Sequence, residues 1–184
     1  TVVLSSPLVS ISPSLYAKLN YDPSRDLAPV SLVAYIQNIL IVHPSVPVTT
    51  VKDLIDLGKK KPAEINYGTF GIGSSGHLNM ELFQALSGAK FQAVHYKGAT
   101  PALTDVMAGH IQMMFISAGS AVPQAKSGKV NLIAVGAKKR MPLLPEVPTV
   151  AESGLPGYEA VSWFGLFGPP GMPADVVAKI NAEV

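Results

Sequence analysis

The sequence predicts an α/β fold with a mostly parallel sheet flanked by helices, and three observations lead to this prediction. Hydrophobic residues make up 48% of the 184 residues and charged residues only 14%, a balance that supports a sizeable core. From Val51 onward, strand-like runs alternate with helical segments of about ten to fifteen residues. Capping residues, glycines and prolines separate these segments. Such alternation is typical of right-handed βαβ units, whose strands are parallel.

The alternating region begins with a helix after Thr50, because Thr50-Val51-Lys52-Asp53 is a capping-box pattern, and Pro62 follows as a stop. The later segments are a strand at Ile65–Phe70, a helix at Ser74–Leu86, a strand at Phe91–Tyr96, a helix that begins at Thr100-Pro101 with Thr100 as its capping residue, a strand at Ile111–Ile116, a helix at Gly119–Lys126 and a strand at Val130–Val135. Together they predict a compact α/β lobe over about residues 45–140.

The two flanks have a different pattern. Residues 1–44 mix strand-like runs with turns rich in Pro and Ser, and residues 141–184 contain many prolines, an apolar strand at Ser162–Gly168 and a helix start at Pro173. We interpret both flanks as parts of a second, incomplete lobe. The chain starts TVVLSS without Met, shows no signal-peptide pattern and stops inside a predicted helix. We therefore expect it to be a fragment of a longer precursor.

Composition argues against several classes of function. The formal net charge is only +2 and most Lys and Arg residues are scattered, so a nucleic-acid surface is not indicated. The chain has no cysteine, which excludes Cys-based zinc sites, disulfides and a thiol nucleophile. Its four histidines lack metal-ligand spacing. No apolar run approaches the ~18 residues that span a bilayer.

The strongest functional motif of the sequence is a glycine-rich loop. Gly71–Gly76 matches the dinucleotide pattern G-x-G-x-x-G between a predicted strand and a predicted helix, where unpaired amides and the helix dipole favour an anion. A dinucleotide site also needs an acid about 20 residues later. Gln92–Gly98 contains none, although Lys97 could meet a 2′-phosphate. A P-loop needs Lys where Ser74 stands. A nucleotide-dependent enzyme using this loop as a dinucleotide or phosphate site remains the alternative function.

The loop is rich in uncharged donors, which suit a small carboxylate. They are the hydroxyls of Thr69, Ser74 and Ser75, the backbone from Gly71 to Gly76, and His77 in the first helical turn. The plainer interpretation is that the glycines form a tight turn and the serines cap the helix. A serine hydrolase is not indicated, because G-x-S-x-G and a placed acid are missing.

The sequence resembles the tripartite tricarboxylate transporter receptors, also called Bug proteins, which are extracytoplasmic solute-binding proteins. The resemblance rests on five segments in order: DLAPVSLVA (Asp26–Ala34), NYGTFGIGSSGHLNMELF (Asn66–Phe83), YKGATPALTDVMAGHIQMMF (Tyr96–Phe115), LPEVPTVAESGLPGYE (Leu144–Glu159) and WFGLFGPPGMP (Trp163–Pro173). They run through almost the whole chain. The resemblance implies a type II, flytrap-like periplasmic-binding-protein fold and a periplasmic location.

The family resemblance also implies a function and a site. It implies a receptor without enzymatic activity or cofactor that hands a di-, tri- or aromatic carboxylate to membrane permease subunits. Residues 45–140 would be the ligand-binding second lobe, with residues 1–44 a partial first lobe and crossover and residues 141–184 the return segment. The candidate ligand-binding residues are Thr69, Gly73, Ser74, Ser75, Gly76 and His77 in the loop, with Ser6, Gln37, Asn38 and Ser117. For Gln37 and Asn38, ordinary turn polarity is the alternative. We also expect the fragment to dimerise or to swap elements between chains.

Overall fold

The computed structural model describes residues 1–184 as seven strands and seven helices. In chain order they are β1 (Val3–Ser5), α1 (Leu8–Leu15), α2 (Pro23–Asp26), β2 (Ala28–Val42), α3 (Val51–Lys60), β3 (Asn66–Thr69), α4 (Ser75–Ser87), β4 (Gln92–His95), α5 (Ala99–Met107), β5 (Met113–Ser117), α6 (Ala118–Lys126), β6 (Asn131–Val135), β7 (Val161–Gly168) and α7 (Ala174–Glu183). The chain forms two units, a terminal unit of Thr1–Ile36 with Ser162–Val184 and a central unit of Gln37–Val161.

The sheet of the central unit has the strand order β6-β2-β5-β3-β4. β3 is parallel to β4 and to β5, while β2 is antiparallel to both β5 and β6. β3, β4, β5 and β6 therefore all run in one direction, and only β2 runs against them. This confirms the predicted α/β class with a mostly parallel sheet. The reversed β2 places its first central-unit residues at the edge where the parallel strands end.

Both faces of this sheet are buried, because successive strand residues point to opposite faces. Leu40 and Phe115 belong to one hydrophobic cluster, which also contains buried residues of α3 and α4 such as Met80. Ile39 and Ile116 belong to a second cluster, which contains buried residues of α5 and α6. The sheet is thus covered by helices on each side, as the alternating sequence pattern predicts.

The predicted start of α3 is confirmed, and that of α5 is wrong. Thr50 accepts a hydrogen bond from the Asp53 amide and Asp53 bonds back to the Thr50 amide, which completes a capping box. In α5 the cap is Gly98, with φ 129°, and the helix already begins at Ala99. Thr100 therefore lies inside the first turn and makes no capping bond. Gly98 thus caps the helix two residues before Thr100, the predicted cap.

The terminal unit contains an antiparallel pair and an unpredicted helix. β1 pairs with β7 in the register Val3 to Phe167, and β7 neighbours β2. α1 lies where the sequence predicts turns, and Pro13 is accommodated inside it. Ser12 lies on the inner side of α1 and donates its hydroxyl to the Leu8 carbonyl at 2.6 Å. The helix thus accommodates Pro13, and the buried Ser12 hydroxyl finds its acceptor within the same helix.

Candidate functional site

Most of the candidate residues lie at one edge of the central sheet. The loop after β3 runs from Thr69 into α4, and β5 ends at Ser117. Asn38 pairs with Ser117 in the antiparallel register of β2 and β5. In open α/β sheets, ligands bind outside the carboxyl ends of the strands. The loop, Gln37, Asn38 and Ser117 are therefore placed together at the edge that such sheets use for binding.

Ser74 is the cap of α4. Its Oγ accepts from the His77 amide at 3.4 Å and donates to the Gly71 carbonyl at 2.7 Å, and its own amide donates to the same carbonyl at 3.2 Å. Gly71 and Gly73 have φ values of 122° and 76°, in the region that favours glycine. Both bonding capacities of the Ser74 side chain are thus used in holding the turn.

Two amides remain free at the start of α4. Those of Ser75 and Gly76 have no acceptor within the chain, and the Ser75 hydroxyl has no partner either. A Cβ on Gly76 would lie 2.7 Å from the Phe70 ring and 3.0 Å from the Phe115 carbonyl. Gly76 therefore lets α4 approach β5 closely. The result is a pair of unpaired donors at the positive end of a thirteen-residue helix.

Thr69 fixes the first half of the loop. It is fully buried, its Oγ1 lies 2.8 Å from Nδ1 of His95, and it accepts from the Gly71 amide at 3.3 Å. These contacts join the ends of β3 and β4 beneath the glycines. Thr69 was predicted to bind ligand, and that role stays a prediction. What its hydroxyl does in this structure is to hold the loop.

His77 lies in the first turn of α4, as predicted, but its Nδ1 accepts a hydrogen bond from the Gly73 amide at 3.2 Å. Its ring packs edge-on against His95 with centroids 5.1 Å apart. Burial lowers the pKa of His77 below its usual value, the Glu81 carboxylate partly raises this pKa, and His95 lowers it. The predicted role of His77 as a donor to an anion stays a prediction, while its Nδ1 is an acceptor within the loop in this structure.

Asn38 is the most unusual polar residue at this edge. It lies within β2 rather than in a turn, so the alternative of ordinary turn polarity is wrong. It is 2% exposed, and its Nδ2 has no hydrogen-bond partner. Strand alternation puts its side chain on the same face as Leu40, the face that α4 covers. A buried donor without a partner costs about 1–3 kcal/mol, so this position is not explained by stability.

Asn79 was missed by the sequence analysis. It is buried on α4, and its side-chain Nδ2 donates to the Ala160 carbonyl at 3.4 Å. Its backbone carbonyl accepts from the Tyr158 hydroxyl at 2.9 Å. A Cβ on Gly136 would lie 3.4 Å from the backbone carbonyl oxygen of Asn38 and 3.7 Å from the side-chain Nδ2 of Asn79. The two asparagines thus border the same narrow space. An asparagine among the apolar positions of α4 was the signal that could have identified it.

The other candidates are placed as follows. Gln37 is half-buried beside Asn38 in β2, and Ser117 has its Oγ 3.1 Å from that of Ser120. Ser6 belongs to the terminal unit, directly after β1 as predicted. The ligand-binding roles of all three stay predictions. No group of three His, Cys, Asp or Glu residues is placed to hold a metal ion, and none of the helices is long and apolar enough to cross a membrane.

Two similar solved structures hold dicarboxylates. The Rpa4515 protein of R. palustris with adipate is 38% identical, with a TM-score of 0.90, and the match covers 99% of this chain and 61% of that one. MatC from Rhodopseudomonas palustris with bound malate is 30% identical, with a TM-score of 0.85, covering 99% and 62%. The fold is accordingly that of a type II periplasmic binding protein, as expected.

The family comparison agrees with the structures. A protein of Pseudomonas sp. (strain P51), described as the UPF0065 protein in the tcbD-tcbE intergenic region, is 33% identical over 185 residues. The match covers 100% of this chain and 55% of that relative, so the chain spans about half the relative's length. The family model described as "Tripartite tricarboxylate transporter family receptor" matches residues 1–184. The chain therefore belongs to the tripartite tricarboxylate transporter receptor family.

Proposed function

We propose that this chain is the solute-receiving part of an extracytoplasmic receptor that binds a small carboxylate through the start of α4. The observation that carries the proposal is the pair of unpaired amides of Ser75 and Gly76, together with the free Ser75 hydroxyl, at the carboxyl edge of the sheet. The dicarboxylates held by the two similar structures support the choice of ligand class. The solute is a di-, tri- or aromatic carboxylate.

The donors fit the two oxygens of one carboxylate group. Each free amide donates to an oxygen, and the Ser75 hydroxyl supplies a third donor. Hydrogen bonds to an ionised acceptor are about twice as strong as neutral ones, and the helix dipole adds to them. A carboxylate is thus held without a Lys or Arg side chain. Asn38, with its unpartnered Nδ2 at the same edge, is the proposed source of a further donor when the solute binds.

The nucleotide-enzyme alternative gains no support from the loop geometry. The next strand, β4, ends in His95, whose Nδ1 lies 2.8 Å from Thr69 Oγ1, where a dinucleotide site would need a carboxylate for the ribose. The Gly73 amide, which a phosphate-binding loop would direct at the ligand, bonds to His77 instead. Both contacts favour a small anion over a nucleotide.

Family membership supports the remaining parts of the proposal. The receptor works in the periplasm, catalyses no reaction and delivers its solute to the membrane permease subunits of a tripartite tricarboxylate transporter. The central unit provides the ligand loop of the second lobe, and the terminal unit belongs to the first lobe. Ser6, placed after β1, is the proposed ligand contact from that lobe.

A matched pair of alanine variants tests the site. Ser75→Ala removes a free donor and is expected to weaken adipate or malate binding by roughly 1–3 kcal/mol, the range for hydrogen bonds to charged groups, in titration calorimetry. Ser74→Ala removes the helix cap and is expected to lower the free energy of unfolding by roughly 0.5–2 kcal/mol in denaturant melts. If Ser75→Ala bound adipate or malate with unchanged affinity, the assignment of the binding site to the start of α4 would be contradicted.

A further inference from the structure

His77 makes a contact that ordinary helix geometry does not require. Its side chain leans back over the start of α4, and its Nδ1 accepts from the amide of Gly73 at 3.2 Å, four residues earlier in the chain. Gly73 has φ 76° and immediately precedes the cap Ser74. The bond therefore ties the glycine turn of the loop to the helix that follows it.

We infer that His77 is a positioning residue. Its neutral ring holds the Gly73 amide and so fixes the loop that presents the Ser75 and Gly76 amides. Protonation of Nδ1 releases the Gly73 amide and with it the loop. An Nδ1 that accepts a hydrogen bond carries no proton, so the neutral ring carries its proton on Nε2. Once Nδ1 is protonated, it becomes a donor facing another donor, and the bond to Gly73 is lost. This role of His77 rests on the proposed carboxylate site, because the loop that His77 would preorganise is the loop that forms that site.

The surroundings of His77 favour the neutral ring. Glu81 on α4 faces its Nε2 at 3.8 Å, too long for a hydrogen bond. The same Glu81 oxygen accepts from the Tyr67 hydroxyl of β3 at 2.6 Å and from Gln84 Nε2 at 3.0 Å, so the carboxylate is held by other donors. His95, at the end of β4, contributes a second ring, and burial of His77 outweighs the attraction of Glu81.

The lowered pKa of His77 decides how the bond to Gly73 depends on pH. The pKa of His77 lies below its value in an unfolded chain, so the neutral form dominates at neutral pH and the bond to Gly73 is present there. As the pH falls through the folded-state pKa, the bond is lost. A loop that is not held must be ordered by the incoming solute, which reduces affinity. The proposed site is therefore expected to be best prepared at neutral pH and to loosen in acid.

Nuclear magnetic resonance of the solute-free protein tests the inference. Histidine ¹⁵N spectra at neutral pH are expected to show His77 as the Nε2-protonated tautomer. The Gly73 amide resonance is expected to move with pH at the same midpoint as the His77 ring. His110→Asn is the matched control, because His110 is exposed and pairs with Asp105, and this variant is expected to leave the Gly73 titration unchanged.

Two substitutions at His77 separate positioning from simple packing. The Oδ1 of His77→Asn falls near the place of Nδ1 and accepts without titrating, so the Gly73 resonance is expected to stay near its neutral position at every pH. His77→Gln places its amide farther out, so Gly73 is expected to lie near its acid position throughout. An Nδ1-protonated tautomer in the wild type, or a Gly73 titration that persists in His77→Asn, would overturn the inference. Neither outcome affects the calorimetric test of the proposed function, which uses a solute.

Discussion

Asn38 and Asn79 show how one type of side chain serves two purposes at the same edge of the sheet. Asn79 donates to the Ala160 carbonyl and so joins α4 to the segment before β7. Asn38 is equally buried, but its Nδ2 has no partner. A satisfied buried amide stabilises the fold, whereas an unsatisfied one costs free energy. Asn79 is therefore a structural residue, and a role in ligand binding stays a prediction for Asn38.

Leucine substitutions at these two positions are expected to have opposite effects on stability. Asn38→Leu removes an unpaired donor, so the free energy of unfolding is expected to stay the same or rise by about 1 kcal/mol. Asn79→Leu strands the Ala160 carbonyl and is expected to lower it by about 1–3 kcal/mol. Urea melts of both variants measure the difference. A clear loss of stability in Asn38→Leu would mean that its amide has a partner that stabilises the fold.

For single residues, the sequence could predict the loop but not the hydrogen-bond partner of each residue in it. The order Gly71-Ile72-Gly73-Ser74 is enough to predict a tight turn and a capped helix. The partner of Thr69 is His95, 26 residues later, and only the pairing of β3 with β4 brings them together. Local pattern therefore predicts donors, while tertiary contacts decide which donors remain free.

At the scale of elements, helix starts were predicted well where the cap is a side chain and poorly where it is a glycine. Thr50 carries the complete capping box of α3, so the local sequence decides the boundary. Gly98 caps α5 through its backbone conformation alone, which leaves no side-chain signal. β2 is also longer than the strand-like runs predicted within residues 1–44, since it extends from Ala28 through the polar Gln37 and Asn38. Asn38 pairs with Ser117 of β5, and this pairing outweighs its weak strand propensity.

The two threonines allow a direct test of the boundary in α5. Thr50→Ala is expected to lower the free energy of unfolding by about 1 kcal/mol, because the Asp53 amide loses its acceptor. Thr100→Ala is expected to change it by less than about 0.5 kcal/mol, since the Thr100 side chain makes no capping bond. Thermal or urea unfolding of both variants provides the comparison. Equal losses would show that Thr100 is a cap after all.

At the scale of the whole molecule, the terminal unit exposes much apolar surface. Leu4 of β1 is 57% exposed and Tyr35 of β2 is 67% exposed. Leu166 and Phe167 of β7 are half-buried, and Phe167 packs against Trp163 with ring centroids 6.2 Å apart. The sequence predicts flanks of residues 1–44 and 141–184, whereas the terminal unit is Thr1–Ile36 with Ser162–Val184, and the pairing of β1 with β7 decides which of its side chains are covered.

Self-association of the chain is expected to depend on this exposed surface. The double variant Leu4→Ser with Tyr35→Ser is expected to reduce concentration-dependent association in analytical ultracentrifugation, because less apolar surface remains to be buried between chains. Leu143→Ser is the control, since Leu143 is 86% exposed as a single residue of the central unit and single exposed leucines are common. A wild-type chain that sediments as a monomer at every concentration would contradict the expected association.

The central claim, that the start of α4 receives the carboxylate of the solute, is tested most directly by a crystal structure with adipate. We predict that one adipate carboxylate lies with its oxygens about 3 Å from the amide nitrogens of Ser75 and Gly76 and near the Ser75 hydroxyl. The Gly73 amide is predicted to stay bonded to His77 at neutral pH. Adipate bound with both carboxylates away from α4, and with these two amides facing only water, would contradict the claim.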